Sequence, residues 1–214
     1  MDGEDMDAEG MEAQAVRAGY AGAAQAFLEL AERVPPQEWS RAALGEWDVR
    51  ALTGHMSRAL TTVETYLATP ATGEWVAGPV DYFLTVRGAT SPDAIAQRGK
   101  ETGEALGEDP AAAVRELVQR VTDLVANTPD EATVATPAGA MTLIDYLPTR
   151  TFELAVHTLD LARALGLPPP ASLAPAVAAS LELAGAIGSR LPSAGELLLL
   201  LTGRSGLPGN LSVV

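Results

Sequence analysis

Apolar residues recur at helical spacing along most of the chain. Val16, Tyr20, Ala23, Ala24, Phe27, Leu30 and Ala31 share one stripe and predict a first helix over residues 9–33. The segment "VPPQEW" ends it, because two prolines cannot continue a helix. Asp48 then has the character of an N-cap, with Trp47 and Leu52 placed as a hydrophobic staple. From there Leu52, Met56, Ala59, Leu60, Val63 and Leu67 predict a second amphipathic helix that stops before Pro70. Residues 70–90, rich in Gly and Pro, read as a long connection, either the wall of a pocket or a spacer.

Ser91 and Pro92 open a third helical region, which "GEDP" at 107–110 interrupts and which resumes to Asn127. "VATPAGAMT" has turn residues between short β-prone pieces and reads as a small hairpin. Thr142 with Asp145 resembles a capping box and starts a fourth helix running to Leu165, with a kink or a frayed first turn expected at Pro148. "GLPPPAS" stops it, and two more helices follow near 173–190 and 194–202. The pattern predicts an all-α fold: a four-helix bundle with long connections and extra C-terminal helices. The domain occupies residues 11–204, between a disordered acidic tail at 1–10 and a C-terminal tail at 205–214.

Composition narrows the function. The chain holds 28 acidic and 14 basic residues, a net charge of −14. That balance argues against nucleic acid as a partner, since phosphates need a basic patch. No apolar run reaches the length of a membrane span, and the N-terminus lacks the pattern of a signal peptide. The expectation is a cytoplasmic protein, monomer or homodimer, acting on small molecules. There are no cysteines, which removes disulfides, Cys-based zinc sites and thiol nucleophiles of the chain itself.

The two histidines are His55 and His157. His55 falls on the edge of the apolar face of the second helix, where a buried, hydrogen-bonded imidazole is the ordinary account. On the fourth helix, Arg150, Glu153, His157 and Asp160 form one polar stripe in an otherwise apolar cylinder. Glu153 and His157 stand four apart, so both project from one face. With a His from a neighbouring helix they could close a His₂Glu set of the kind a catalytic zinc takes. The plain alternative is a solvated Glu–His pair. Arg150 and Asp160 could support such a site, Asp160 holding the imidazole and Arg150 the carboxylate, or could be surface ion-pair partners. Trp39, Trp47 and Trp75 read as packing residues. Neither a phosphate-binding loop nor a G-x-S-x-G nucleophile motif is present.

Two stretches carry a resemblance. "EWDVRALTGHMSRALTTVETYL" is similar to a helix of the mycothiol-dependent maleylpyruvate isomerase family, within the DinB-like superfamily, through Trp47, Val49, Leu52 and His55. "LPTRTFELAVHTLDLARALG" resembles that family's other signature through Glu153, His157, Asp160, Leu161 and Ala162, and "LLLLTGR" resembles the end of its domain. The resemblance implies a DinB-like four-helix bundle holding a divalent metal, usually zinc with nickel or iron as alternatives, on His55, Glu153 and His157. It turns the polar stripe inward and implies mycothiol as cosubstrate, the thiol that the chain itself lacks. The chain ends about ten residues after "LTGR", so groups from the family's further C-terminal domain are expected to be missing. A thiol transferase or diverged isomerase on a small electrophile is therefore expected, rather than maleylpyruvate isomerisation itself. The other classes are a thiol-independent metal enzyme for hydrolysis, cyclisation or rearrangement, and a non-catalytic small-molecule binding protein.

Overall fold

In the computed structural model the described residues are 3–204, 206, 212 and 213. The elements run α1 (Gly3–Ala31), β1 (Ala42–Leu44), β2 (Trp47–Asp48), α2 (Val49–Ala68), α3 (Pro79–Val86), α4 (Pro92–Ala105), α5 (Pro110–Ala126), β3 (Thr133–Thr136), β4 (Gly139–Thr142), α6 (Leu143–Leu165), α7 (Ala174–Ser189) and α8 (Ala194–Leu201). Helix α1 begins inside the acidic stretch read as a tail, and most of the C-terminal segment 205–214 lies outside the described residues.

The bundle is closed by four helices: α1 and α2 each pack against both α5 and α6. Its centre is filled by large buried side chains, among them Phe27, Leu52, Leu60, Leu147 and Leu154. Two buried phenols tie the helices together. Tyr20 donates to the carbonyl of Ala59 at 3.3 Å and Tyr146 to Oγ1 of Thr62 at 3.1 Å.

Helix boundaries follow local chemistry. The Asp48 carboxylate accepts from the Ala51 amide at 2.8 Å, Ser91 Oγ from Ala94 at 3.2 Å, and Asp109 from Ala112 at 3.0 Å. Each satisfies an amide the first turn would leave unpaired. Thr142 caps α6, accepting from the Asp145 amide at 3.2 Å while donating to the Asp145 carboxylate at 2.5 Å. The helix then runs through Pro148 and ends at Gly166, whose φ of 66° closes the left-handed cap.

The third helical region is two helices with different jobs. Helix α5 completes the bundle, whereas α4 lies outside it against α2. The reason is a seam of glycines. Gly54 meets the backbone of Thr102 and Gly103, and a Cβ on Gly103 would sit 2.8 Å from the carbonyl oxygen of Arg50. Helices without side chains at the crossing approach backbone to backbone, and α4 has no need of an apolar stripe to dock there.

The connection at 70–90 contains α3, which packs on α6 and α7. The β3–β4 hairpin forms as expected, antiparallel from Thr133–Thr142 to Thr136–Gly139. The short β1–β2 hairpin had no alternating pattern to announce it. Among the described residues one stretch, Ala171–Ser189, is long and apolar enough by length and composition to cross a membrane, contrary to the expectation from run length. Here it includes α7, which buries Ala176, Ser180, Leu183 and Ile187 and packs on α6 and α1.

Candidate metal centre

His55 projects from α2, and Glu153 and His157 from successive turns of α6, two helices that touch within the bundle. The three side chains converge: one ligand atom from each lies within 4.8 Å of the others. Oε2 of Glu153 stands 3.8 Å from Nε2 of His55 and 3.6 Å from Nε2 of His157. Both separations exceed a hydrogen bond. Donor atoms 2.0–2.2 Å from a tetrahedral zinc lie about 3.3–3.6 Å apart, so the observed gaps are close to those a shared ion requires.

The donor chemistry fits as well. Two neutral imidazoles and one carboxylate would leave a divalent ion with a net positive charge and an open position. The nitrogen of His55 that faces Glu153 is Nε2; Nδ1, on the other side of the ring, is buried and has no hydrogen-bond partner among the described residues.

His157 is oriented from behind. Its Nδ1 meets Oδ2 of Asp160 at 3.0 Å, one turn along α6, so the proton belongs on Nδ1 and Nε2 is free to face Glu153. His55 is held by rings. The Trp47 indole lies over it at 4.5 Å between centroids, and the His157 imidazole stands edge-on at 4.8 Å.

Electrostatics separate the three donors. Burial would raise the Glu153 carboxyl, but the two imidazoles and the Arg150 guanidinium outweigh it and hold the group far below the usual carboxylate range. Burial would lower His157, yet Asp160 and Glu153 push it up to about 9. His55 is shifted down, chiefly by burial, with contributions from His157 and Arg58 opposing the pull of Glu153. Ionised Glu153 thus sits between one imidazole that holds its proton and one that gives it up.

Arg150 is neither a surface residue nor a clamp on the carboxylate. It is 8% exposed, and no carboxylate among the described residues comes within ion-pair distance of it. Its guanidinium lies 4.9 Å from the Tyr146 ring centroid and 5.6 Å from that of Tyr82. It donates to the Tyr82 hydroxyl at 3.3 Å and to Thr149 Oγ1 at 3.0 Å.

The three donors open onto a cavity of about 530 Å³, a size that takes a small molecule. Its walls include Trp47, Tyr66, Tyr82 and Phe83, with Arg58, Arg87, Arg98 and Arg150 among them. Much of one wall comes from α3 and the residues after it, so the connection is a wall rather than a spacer. Of these arginines the sequence had singled out Arg150 alone; Arg58, Arg87 and Arg98 were missed, and of those only Arg58 carried a usable signal, since it follows His55 by three residues and so shares its face.

Fold and site together define a DinB-like helical bundle with a candidate divalent-metal centre at the meeting of α2 and α6. The family described as the mycothiol maleylpyruvate isomerase N-terminal domain matches residues 20–162, from within α1 to the last turns of α6, and the chain belongs to that family. No curated protein and no solved structure matches the chain.

Proposed function

We propose that the protein is a metal-dependent enzyme, with zinc the first choice of ion, that activates a low-molecular-weight thiol such as mycothiol for transfer to, or isomerisation of, a small electrophile. The observation that carries this reading is the convergence of His55, Glu153 and His157 on one side of a cavity large enough for a reactant. Family membership supports the thiol.

His55, Glu153 and His157 would hold the ion, whose Lewis acidity favours the thiolate form of an incoming thiol near neutral pH. The chain contributes the rest. Asp160 fixes the His157 tautomer by accepting from Nδ1. Trp47 restricts His55 to one orientation. Tyr82 and Arg150 line the same cavity, where a buried guanidinium is available to a partial negative charge developing on a substrate. Aromatic side chains line the space between and limit water around the reacting atoms.

The test is metal content of gently purified protein, by plasma mass spectrometry, followed by thiol-conjugation assays with mycothiol and a panel of small electrophiles. Near-stoichiometric metal with metal-dependent thiol consumption is the expected result. A metal-loaded protein that consumes electrophile at the same rate without any thiol would replace this reading by the thiol-independent one.

A further inference from the structure

Tyr20, Tyr82 and Tyr146 are all buried, but their hydroxyls are used differently. Tyr20 donates to the Ala59 carbonyl and Tyr146 to Thr62 Oγ1, so the proton of each has an acceptor inside the protein. Neither residue lines the cavity. Tyr82 does line it, although it is only 6% exposed. Its oxygen accepts from Arg150 Nη2 at 3.3 Å, and no acceptor among the described residues takes its own proton.

A guanidinium has donors and no acceptor, so the Tyr82 proton must turn away from Arg150. Both side chains border the cavity, and the atom that receives this proton is therefore a solvent molecule or a bound reactant. The geometry is held from behind. Arg150 Nε donates to Thr149 Oγ1 at 3.0 Å, and Thr149 donates onward to the Tyr146 carbonyl at 2.7 Å. The Tyr82 ring stands edge-on to Phe83 at 5.5 Å and to Tyr146 at 5.9 Å. The hydroxyl is thus aimed before anything binds, which is the condition under which one donor contributes most to a reaction. Burial pushes the phenol's pKa up against the pull of Arg150, and Glu153 adds to that push. At neutral pH the group keeps its proton.

We propose that the Tyr82 hydroxyl, oriented by Arg150, is the hydrogen-bond donor that receives the electrophile's carbonyl oxygen and stabilises the negative charge that oxygen gains when the thiol adds. This rests on the functional reading above. The thiolate sulfur supplies the pair for the new C–S bond, and the displaced π pair comes to rest on the oxygen that Tyr82 faces. Loss of the thiol returns that pair, so no proton has to leave Tyr82. Tyr82 is a catalytic residue in this step, and Arg150 is a positioning residue that acts through it.

The experiment uses the full-length chain after treatment with a chelator, so that neither metal nor thiol enters the result. Acetophenone serves as a neutral carbonyl probe, read by its infrared carbonyl stretch. Para-nitrophenol serves as an oxyanion probe, read by the colour of its ionised form. In the wild-type chain the carbonyl stretch is expected at lower frequency than in a non-hydrogen-bonding solvent, and bound nitrophenol is expected to be more ionised than free nitrophenol at the same pH. Tyr82→Phe keeps the ring and its packing. It is expected to abolish the infrared shift and to weaken nitrophenolate binding by about tenfold or more, the effect of one hydrogen bond to a charged acceptor, with helical circular dichroism and metal uptake unchanged. In the zinc-loaded chain with thiol and electrophile, the same substitution is expected to lower kcat by about 100-fold with little change in KM.

The probes separate this inference from the functional reading. A native chain without metal that nonetheless binds nitrophenolate through Tyr82 would refute the metal-dependent function and support the donor. Failure of both probes to bind, an unshifted carbonyl stretch in the wild-type chain, or nitrophenolate binding equal in Tyr82→Phe would overturn the donor. Metal-dependent thiol transfer that proceeds at the wild-type rate in Tyr82→Phe would overturn it too, and would leave the functional reading intact.

Discussion

The indole of Trp47 lies over the imidazole of His55, 4.5 Å between ring centroids and 30° from parallel. The indole is fixed in turn by α4: its Nε1 donates to the carbonyl of Ala96 at 2.9 Å, and Gly99 faces the ring so closely that a Cβ there would lie 2.5 Å from Nε1. A helix outside the bundle therefore sets the position of a side chain inside the site.

Gly99→Ala should accordingly be felt at the metal. Forcing a methyl group into a packed contact costs about 1–3 kcal/mol, which for a chain of this size lowers the melting temperature by roughly 2–4 °C per kcal/mol. The substitution should also weaken metal binding, because the displaced indole pushes on His55. A calorimetric scan with a chelator competition reads both. A lower melting temperature with unchanged metal affinity would show that Trp47 packs against His55 without positioning it.

Loss of a donor and loss of its support should differ in degree. His55→Ala or His157→Ala should abolish metal binding while the helical spectrum persists, because both side chains lie at the cavity rather than in the centre of the bundle. Asp160→Asn keeps every donor but weakens the hold on His157 Nδ1, so affinity should fall by about 10–100-fold. Metal titration against a competing chelator distinguishes the two. Full metal content in either alanine variant would refute the ligand set.

Metal uptake should release a proton, and the sign follows from His157. In the metal-free protein its pKa is raised to about 9, so at pH 7 the ring is charged and must lose a proton before Nε2 can bind a cation. His55 is shifted down and contributes none. Calorimetry in buffers of different ionisation enthalpy should find close to one proton released at pH 7 and progressively fewer as pH passes 9, with apparent affinity rising over the same interval. Release of no proton at pH 7 would mean that His157 is already neutral there.

Arg150 should matter for stability as well as for activity. Arg150→Lys retains the charge but loses the flat stacking between Tyr146 and Tyr82 and the bond to the Tyr82 hydroxyl. A loss of about 1–2 kcal/mol is expected from desolvated cation–π contacts, read from denaturant unfolding, with metal content unchanged. If metal is lost with the substitution, Arg150 supports the ligands through Glu153 after all.

The bundle was legible where side chains carry the packing. The apolar stripes of α1, α2, α5 and α6 and the caps at Asp48 and Thr142 are local signals, and they mark the helices that close the core. The reading faltered where packing is made by the absence of side chains. Helix α4 buries Gly99 and Gly103, which leave no apolar periodicity, so although the break before α5 was visible in "GEDP", the place of α4 outside the bundle could not be read. Helix α3 is short and lies in a Gly- and Pro-rich stretch. In the site, the four-residue interval between Glu153 and His157 was visible because one helix carries both. Arg87 and Arg98 reach the same cavity from other elements, and no spacing along the chain relates them to His55.

The division of the cavity has an evolutionary consequence. The candidate metal donors stand on α2 and α6, two helices of the bundle, whereas much of another wall belongs to α3 and the residues following it, a connection outside the four-helix bundle. Mutations at the exposed positions of that wall, Thr85 and residues 87–90, can change what the cavity admits without disturbing how the three donors meet. One scaffold can thereby diversify its clientele while its chemistry is inherited intact.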